Sequence, residues 1–398
     1  MDVQKQVLLP FPPSVPDAGD PPEETKLRWK PHHMKWVLVS GSSPGIQPMD
    51  NISHLRSQRR LPVMILVTGG TGLVGSHLLL SLAKSGKAVR ALKRRSGSPE
   101  LVNRLFRGQE SLLHRVEWVD GDVTDFFSLE DAMKGVSEVF HCAALVSFHP
   151  SDYRRMMKIN AGGTANMINA ALASGVKKFC HVSSTAAMGR SEEDNVVTEK
   201  TVWSTSKHNS AYSISKHCAE REVWRGIEEG LHAFIVNPSI ILGPGDWHTG
   251  STALFGEVWK GLRFYPTGAS GFVDVRDVVS CMTRLMDSDS RAERYILSAE
   301  NISYREVING IAHGFGKPEP VIRVGNFLSE LGWRAEAARN LFSKTKPLIT
   351  KETARNGQLT WLYSNEKIKK ELGFEFIPVR RSIEDTCRVF LDEKKLPA

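Results

Sequence analysis

The chain has 398 residues, 41% hydrophobic and 24% charged, which suits a folded protein with a large core and about two domains. Its formal charge of +8 is spread along the chain without an aromatic-rich basic block, which argues against nucleic acid and suits an anionic cofactor. Five scattered cysteines without a CxxC pair, and no apolar run near the ~20 residues of a membrane helix, argue against a disulfide or metal framework and a membrane span, and point to the cytoplasm.

Residues 1–62 differ from the rest of the chain. They hold ten of the 20 prolines and show no hydrophobic periodicity, so we expect a disordered or non-native extension, with the native chain opening at Met64. From Val63 onward strand and helix signals alternate. Val63–Val67, Ala88–Leu92, Val116–Val119, Glu138–His141, Lys178–Val182 and His232–Val236 read as strands. Leu73–Ser85, Leu129–Lys134, Tyr153–Ser174 and Ser210–Glu229 read as helices. This rhythm predicts an α/β fold: a doubly wound parallel sheet of Rossmann type, with a ligand crevice at the strands' C-terminal ends. After Val236 the rhythm breaks. A loop-rich stretch, Pro238–Gly271, leads to a helix near Val275–Met286 and a strand, Arg294–Ser298. Helices are then expected near Tyr304–Phe315, Phe327–Leu341, Asn365–Leu372 and Arg381–Glu393. Residues 63–237, with 272–299 returning, would form the cofactor domain. Residues 238–271 and 300–398 would form a smaller, mostly helical substrate lobe.

The first strand ends in Thr68-Gly69-Gly70-Thr71-Gly72-Leu73-Val74-Gly75, a glycine turn opening a helix, where backbone amides can reach a diphosphate. The second strand ends at Lys93-Arg94-Arg95 with no acid between Ala88 and Pro99. A cation about 20 residues beyond the glycines suits the extra phosphate of NADP, so NADP is favoured over NAD, with Arg94 as its contact. Asp122 and Val123 follow the third strand, where a carboxylate beside a free amide suits an adenine edge. Ala143 and Ala144 follow the fourth, small enough to admit a ribose. His141 reads as a core histidine. Ser184 closes the fifth strand, and Tyr212 and Lys216, four residues apart, share a helix face. A phenol has a pKa near ~10, and the Lys216 cation is expected to lower it, making Tyr212 an acid/base partner for an oxygen held by Ser184. Asn160 could order the same site. Tyr363 and Lys367 repeat the spacing but follow no strand-end serine, and read as a decoy.

In these residues the chain resembles the extended short-chain dehydrogenase/reductases, which include NAD-dependent epimerases/dehydratases, dihydroflavonol-4-reductase-like reductases and hydroxysteroid dehydrogenases. The resemblance spans 64–395 and includes Asn237-Pro238-Ser239, Gly243-Pro244 and Phe272-Val273-Asp274-Val275-x-Asp277. It implies that Tyr212 is the acid/base, that Lys216 binds the nicotinamide ribose and tunes Tyr212, and that Ser184 orients the reacting oxygen. It also implies cofactor contacts at Gly69, Thr71, Gly72, Leu73, Val74, Gly75, Arg94, Asp122, Val123, Ala143, Ala144, Asn160, Lys216 and Pro238, and a homodimer through the Tyr212 helix. Thr185-Ala186 stands where sugar-nucleotide dehydratases carry Asp-Glu. The expectation is therefore hydride transfer between the nicotinamide and a secondary alcohol or ketone of a small-molecule substrate. Trp247, Trp259 and Phe264 suggest an apolar or aromatic one. An NAD-dependent nucleotide-sugar epimerase and a non-catalytic nucleotide-binding regulator are the alternatives.

Overall fold

The computed structural model describes residues 63–189, 196–205, 209–325 and 355–395; the N-terminal extension and the expected helix Phe327–Leu341 lie outside the described residues. Seven parallel strands form the central sheet: β1 Met64–Thr68, β2 Ala88–Lys93, β3 Val116–Asp120, β4 Val136–His141, β5 Lys178–Val182, β6 Ala233–Pro238 and β7 Glu293–Leu297. Their order is β3-β2-β1-β4-β5-β6-β7. The connections reverse direction beside β1, so the crevice of this doubly wound sheet opens above the ends of β1 and β4.

Both faces of the sheet are covered, which is why its strands read as nearly continuous apolar runs. Side chains alternate across β1: Ile65 and Val67 pack on one side with Leu78, Leu82 and Val278, while Leu66 packs on the other with Val139, Ile168 and Val223. The helix Val275–Asp287 covers the first face, capped by Asp274, whose carboxylate accepts from the Arg276 amide at 2.7 Å. The helix Ala211–Glu228 covers the second, its N-terminus fixed by Ser210, whose hydroxyl accepts from the Ser213 amide at 2.8 Å.

The region expected to be loop-rich carries regular structure. Ile240–Leu242, Ala269–Asp274 and Glu300–Ser303 form a three-stranded sheet, and Ala253–Trp259 is a helix. With the helices Tyr304–Gly314 and Val379–Lys395 they enclose a second core of Phe255, Phe272, Ile311, Phe315 and Phe390. Ser303 and Glu306 form a capping box at the start of Tyr304–Gly314. Not all of the C-terminal stretch belongs to this core: Ile368 and Phe374 pack with the main sheet's side chains. The run expected as one helix, Tyr153–Ser174, is interrupted by a π-helical turn, Met157–Gly162, that contains Asn160.

Candidate active site

The glycine turn is built so that backbone, not side chains, faces the crevice. Gly69 has φ +68°, and a Cβ there would lie 2.6 Å from the Ala143 amide nitrogen. A Cβ on Gly75 would lie 2.2 Å from the Gly69 carbonyl oxygen. Neither position admits alanine without moving the turn. Gly72 caps the helix Leu73–Lys84 with no side-chain hydrogen bond, so the orphan amides of its first turn have no side-chain acceptor at the cap. Gly72, Leu73, Val74 and Gly75, with Gly69 and Thr71, line a cavity of about 940 Å³. An uncapped helix start opening on a cavity of that size fits a dinucleotide diphosphate.

Ser184, Tyr212, Lys216 and Pro238 line the same cavity. Ser184 follows β5 and begins a short 3₁₀ turn, where its Oγ accepts the Ala186 amide at 3.1 Å. Its hydroxyl faces the Tyr212 phenol. Burial pushes that phenol up to about 12, opposed by Ser184. The expected lowering by Lys216 is therefore not found: the phenol is held as an acid, because desolvation of the phenolate outweighs its partners. The Lys216 ammonium, itself lowered to about 8 by burial, donates to the Val182 carbonyl at 2.8 Å. Phe148 meets the Tyr212 ring edge-on at 6.1 Å.

Behind these groups lies a polar layer. Asn160 accepts from the Leu145 amide at 2.7 Å and donates to the Leu145 carbonyl at 2.9 Å and to Ser215 Oγ at 2.9 Å. It thereby ties the loop after β4 to the Tyr212 helix without lining the cavity. His141 is fully buried between Thr68 and Thr164, at 2.7 and 3.1 Å, and burial lowers it to about 3, as befits a core histidine.

Of the remaining expected residues, Ala144 and Trp247 are in the cavity's lining and the others are not. Ala144 lines it; Ala143 sits against Gly69 and donates its amide to Thr68 Oγ1 at 3.2 Å. Arg94 is exposed at the end of β2, while Lys93 is paired with Asp120 at 2.9 Å. Asp122 accepts from the Thr124 amide and hydroxyl, both at 2.8 Å, and so shapes its own turn; Val123 is core. Trp247 both lines the cavity and packs on Phe390, 4.9 Å between ring centroids. Trp259 and Phe264 do not line it: Trp259 stacks edge-on with Phe315, and Phe264 is half exposed.

Sequence reasoning missed the aromatic wall. Tyr304, Trp361 and Tyr363 line the cavity, brought there by strand pairings between distant segments that no local pattern signals. Tyr363, half of the supposed decoy, is thus part of the site, while Lys367 turns away to Glu293 and the Arg294 carbonyl.

A parallel sheet with a glycine turn at its switch point, and a serine, tyrosine and lysine beside that turn, defines the class: an extended short-chain dehydrogenase/reductase. The chain belongs to the NAD dependent epimerase/dehydratase family, whose model matches residues 65–297. It is similar to cinnamoyl-CoA reductase 1 of Petunia hybrida, 26% identical over 345 residues, spanning 84% of this chain and 94% of that protein. It is also similar to the 3 beta-hydroxysteroid dehydrogenase/Delta 5-->4-isomerase of Mycobacterium tuberculosis, at 26% identity, spanning 78% of this chain and 85% of that one. Among solved structures, the crystal structure of gox2253 superposes with a TM-score of 0.68 and 29% identity, covering 85% of this chain and 100% of that one. The protein is an NAD(P)-dependent oxidoreductase, and the reading as a non-catalytic regulator falls away. Among the described residues no helix is long and apolar enough to cross a membrane.

Proposed function

We propose that the protein reduces the carbonyl of a small apolar or aromatic ketone to a secondary alcohol, with NADPH as the preferred donor. The observation that carries this reading is that Ser184, Tyr212 and Lys216 line one cavity together with the uncapped helix start, with the Tyr212 phenol kept protonated by burial. Bound there, the cofactor supplies the hydride. The backbone amides of Leu73 and Val74 would hold its diphosphate, and Lys216 would hold its nicotinamide ribose. Ser184, with Oγ fixed by the Ala186 amide, hydrogen-bonds the substrate oxygen. As the carbonyl carbon takes the hydride, its C–O π bond opens and the oxygen takes the proton of Tyr212. The resulting phenolate would lie beside Ser184, which opposes the effect of burial on Tyr212, with the Lys216 ammonium one helical turn away.

The cavity walls support the substrate class. Val146, Phe148, Ile240, Ile241 and Trp361 offer flat apolar surface. Among the described lining residues, the lysines and arginines are Lys216 and Arg104, and Arg104 is already paired with Glu393 at 2.6 Å. That lining is a poor match for the second diphosphate of a nucleotide sugar. The preference for NADPH rests on Arg94, whose guanidinium has no partner among the described residues, and on the lack of a carboxylate at the end of β2. The test is oxidation of NADPH in the presence of aryl and aliphatic ketones. Tyr212→Phe should lower turnover by about a thousandfold while NADPH still binds; a Tyr212→Phe enzyme with undiminished turnover would refute the reading.

A further inference from the structure

Glu220 lies one turn beyond Lys216 on the same helix, and it is only 2% exposed. It has no part in the steps above, yet three strands contribute groups to it. Asn237, in β6, donates one amide to both Glu220 Oε1 at 2.5 Å and the Ser184 carbonyl at 3.0 Å. Arg294, in β7, places Nη1 3.5 Å from Glu220 Oε2. The Ser183 hydroxyl, after β5, faces the same carboxylate. A buried carboxylate is tolerated only where it is paired and hydrogen-bonded, and this one has both kinds of partner.

The Lys216 side chain is itself only 1% exposed, and its one hydrogen bond among the described residues is to a neutral carbonyl. The titratable groups that face it are few. His141 ends β4 and Cys142 follows it, and His181 comes from β5; Tyr212 and Glu220 share its own helix, and Arg294 lies beyond Glu220. Burial holds both histidines well below their ordinary range and Cys142 far above it, up to about 12, so all three are neutral. Among these groups Glu220 is the one carboxylate; burial raises its proton affinity, and Ser183, Arg294, Asn237 and Lys216 oppose that rise.

We infer that Glu220 is the buried counter-ion of the reaction site, a positioning residue against which Lys216 is held as an ammonium ion. The geometry makes one helical turn the vehicle: residues four apart share a helix face, and both side chains are buried there, Lys216 lining the cavity and Glu220 held behind it by Asn237 and Arg294. Asn237 adds a second consequence, since the amide that fixes Glu220 also fixes the Ser184 carbonyl. The charge on Lys216 and the position of Ser184 then share one support.

This inference rests on the assignment of Lys216 to the nicotinamide ribose, and the experiment separates the two. NADPH binding to the full chain is measured by fluorescence from about pH 7 to about pH 10, above the range in which a 2′-phosphate titrates. In the wild type, affinity should fall as Lys216 loses its proton. In Glu220→Gln the midpoint of that fall should move down by about one pH unit, the scale of an opposite charge at this separation. Glu220→Asp, with the charge drawn back by one methylene, should move it in the same sense by less. Arg294 keeps its bonds to the Glu199 and Thr201 carbonyls at 2.9 and 3.0 Å in either variant, which favours folding. Thermal melting establishes which variants fold, and an unmoved midpoint in any folded one overturns the inference. Lys216→Met tests the underlying assignment on its own: it should bind NADPH weakly and without the pH transition. If instead it reproduces the wild-type transition, the lysine is not the ribose contact and the inference falls with it.

Discussion

At the scale of single residues, the proposed reduction rests on two groups whose proton affinities burial has moved in opposite senses. The Tyr212 phenol is pushed up to about 12 and the Lys216 ammonium is lowered to about 8. Reduction needs both protonated: the phenol as donor, the ammonium as the charge that receives a phenolate. The phenol stays protonated throughout the working range, so the lysine sets the limit. The rate of ketone reduction should be flat below about pH 8 and fall as pH rises through it, by about tenfold per unit once Lys216 is mostly neutral. A pH profile of kcat/KM for NADPH, which reports the groups of the free enzyme, checks this, and a plateau continuing to pH 10 would contradict it. In the proposed reading Arg94 would attract the cofactor's extra phosphate from an exposed position. Arg94→Ala should weaken NADPH binding by about tenfold and leave NADH binding unchanged, as parallel Kd measurements for the two cofactors will show. The residue types were legible in the sequence, because a glycine turn, a strand-end serine and a Tyr-x-x-x-Lys helix are local patterns. The direction of the Tyr212 shift was not. It depends on how much water the folded cavity removes, a property of packing that no four-residue spacing contains.

At the scale of elements, all seven strands of the main sheet were legible within one or two residues, because most of their positions are buried and carry apolar runs. The elements around Pro238–Gly271 were not. Ile240–Leu242 and Phe264–Pro266 are only three residues long, and they exist because each finds a partner far along the chain. The π-helical turn Met157–Gly162 was also invisible, since a helical period tolerates one inserted residue without losing its apolar stripe. That insertion lets Asn160 be fully buried while satisfying both backbone groups of Leu145 and the Ser215 hydroxyl. Asn160→Ala would strand those groups. Destabilisation by about 2 to 3 kcal/mol is expected, read as a lower denaturant midpoint at constant slope. An unchanged midpoint would show that the loop after β4 is held by something else.

At the scale of the whole molecule, the cavity is walled by two cores that meet through few polar ties. One is at Glu393, near the end of the helix Val379–Lys395. Its Oε2 accepts from Arg104 Nη1 at 2.6 Å and from Trp247 Nε1 at 2.7 Å, while Arg104 also donates to the Gly245 carbonyl at 2.7 Å. Arg104 belongs to the short helix after β2, on the sheet side, and both Arg104 and Trp247 line the cavity. The carboxylate therefore joins the final helix of the substrate side to the sheet side across the cavity wall. The side chains are about one-fifth exposed, so solvent screens the ion pair in part and its net value is modest. The indole bond adds to it, and Trp247 is packed against Phe390 on the same helix. Glu393→Ala should cost about 1 to 2 kcal/mol of stability. It should also raise KM for the ketone severalfold with little change in the kcat of bound substrate, because the wall loosens while Ser184, Tyr212 and Lys216 keep their supports. Denaturant melts and steady-state kinetics on the variant decide the point. If KM stays at the wild-type value while the melt shifts, Glu393 ties the two cores together without shaping the substrate wall; if neither moves, the tie contributes nothing measurable and the apolar packing alone holds the two sides in place.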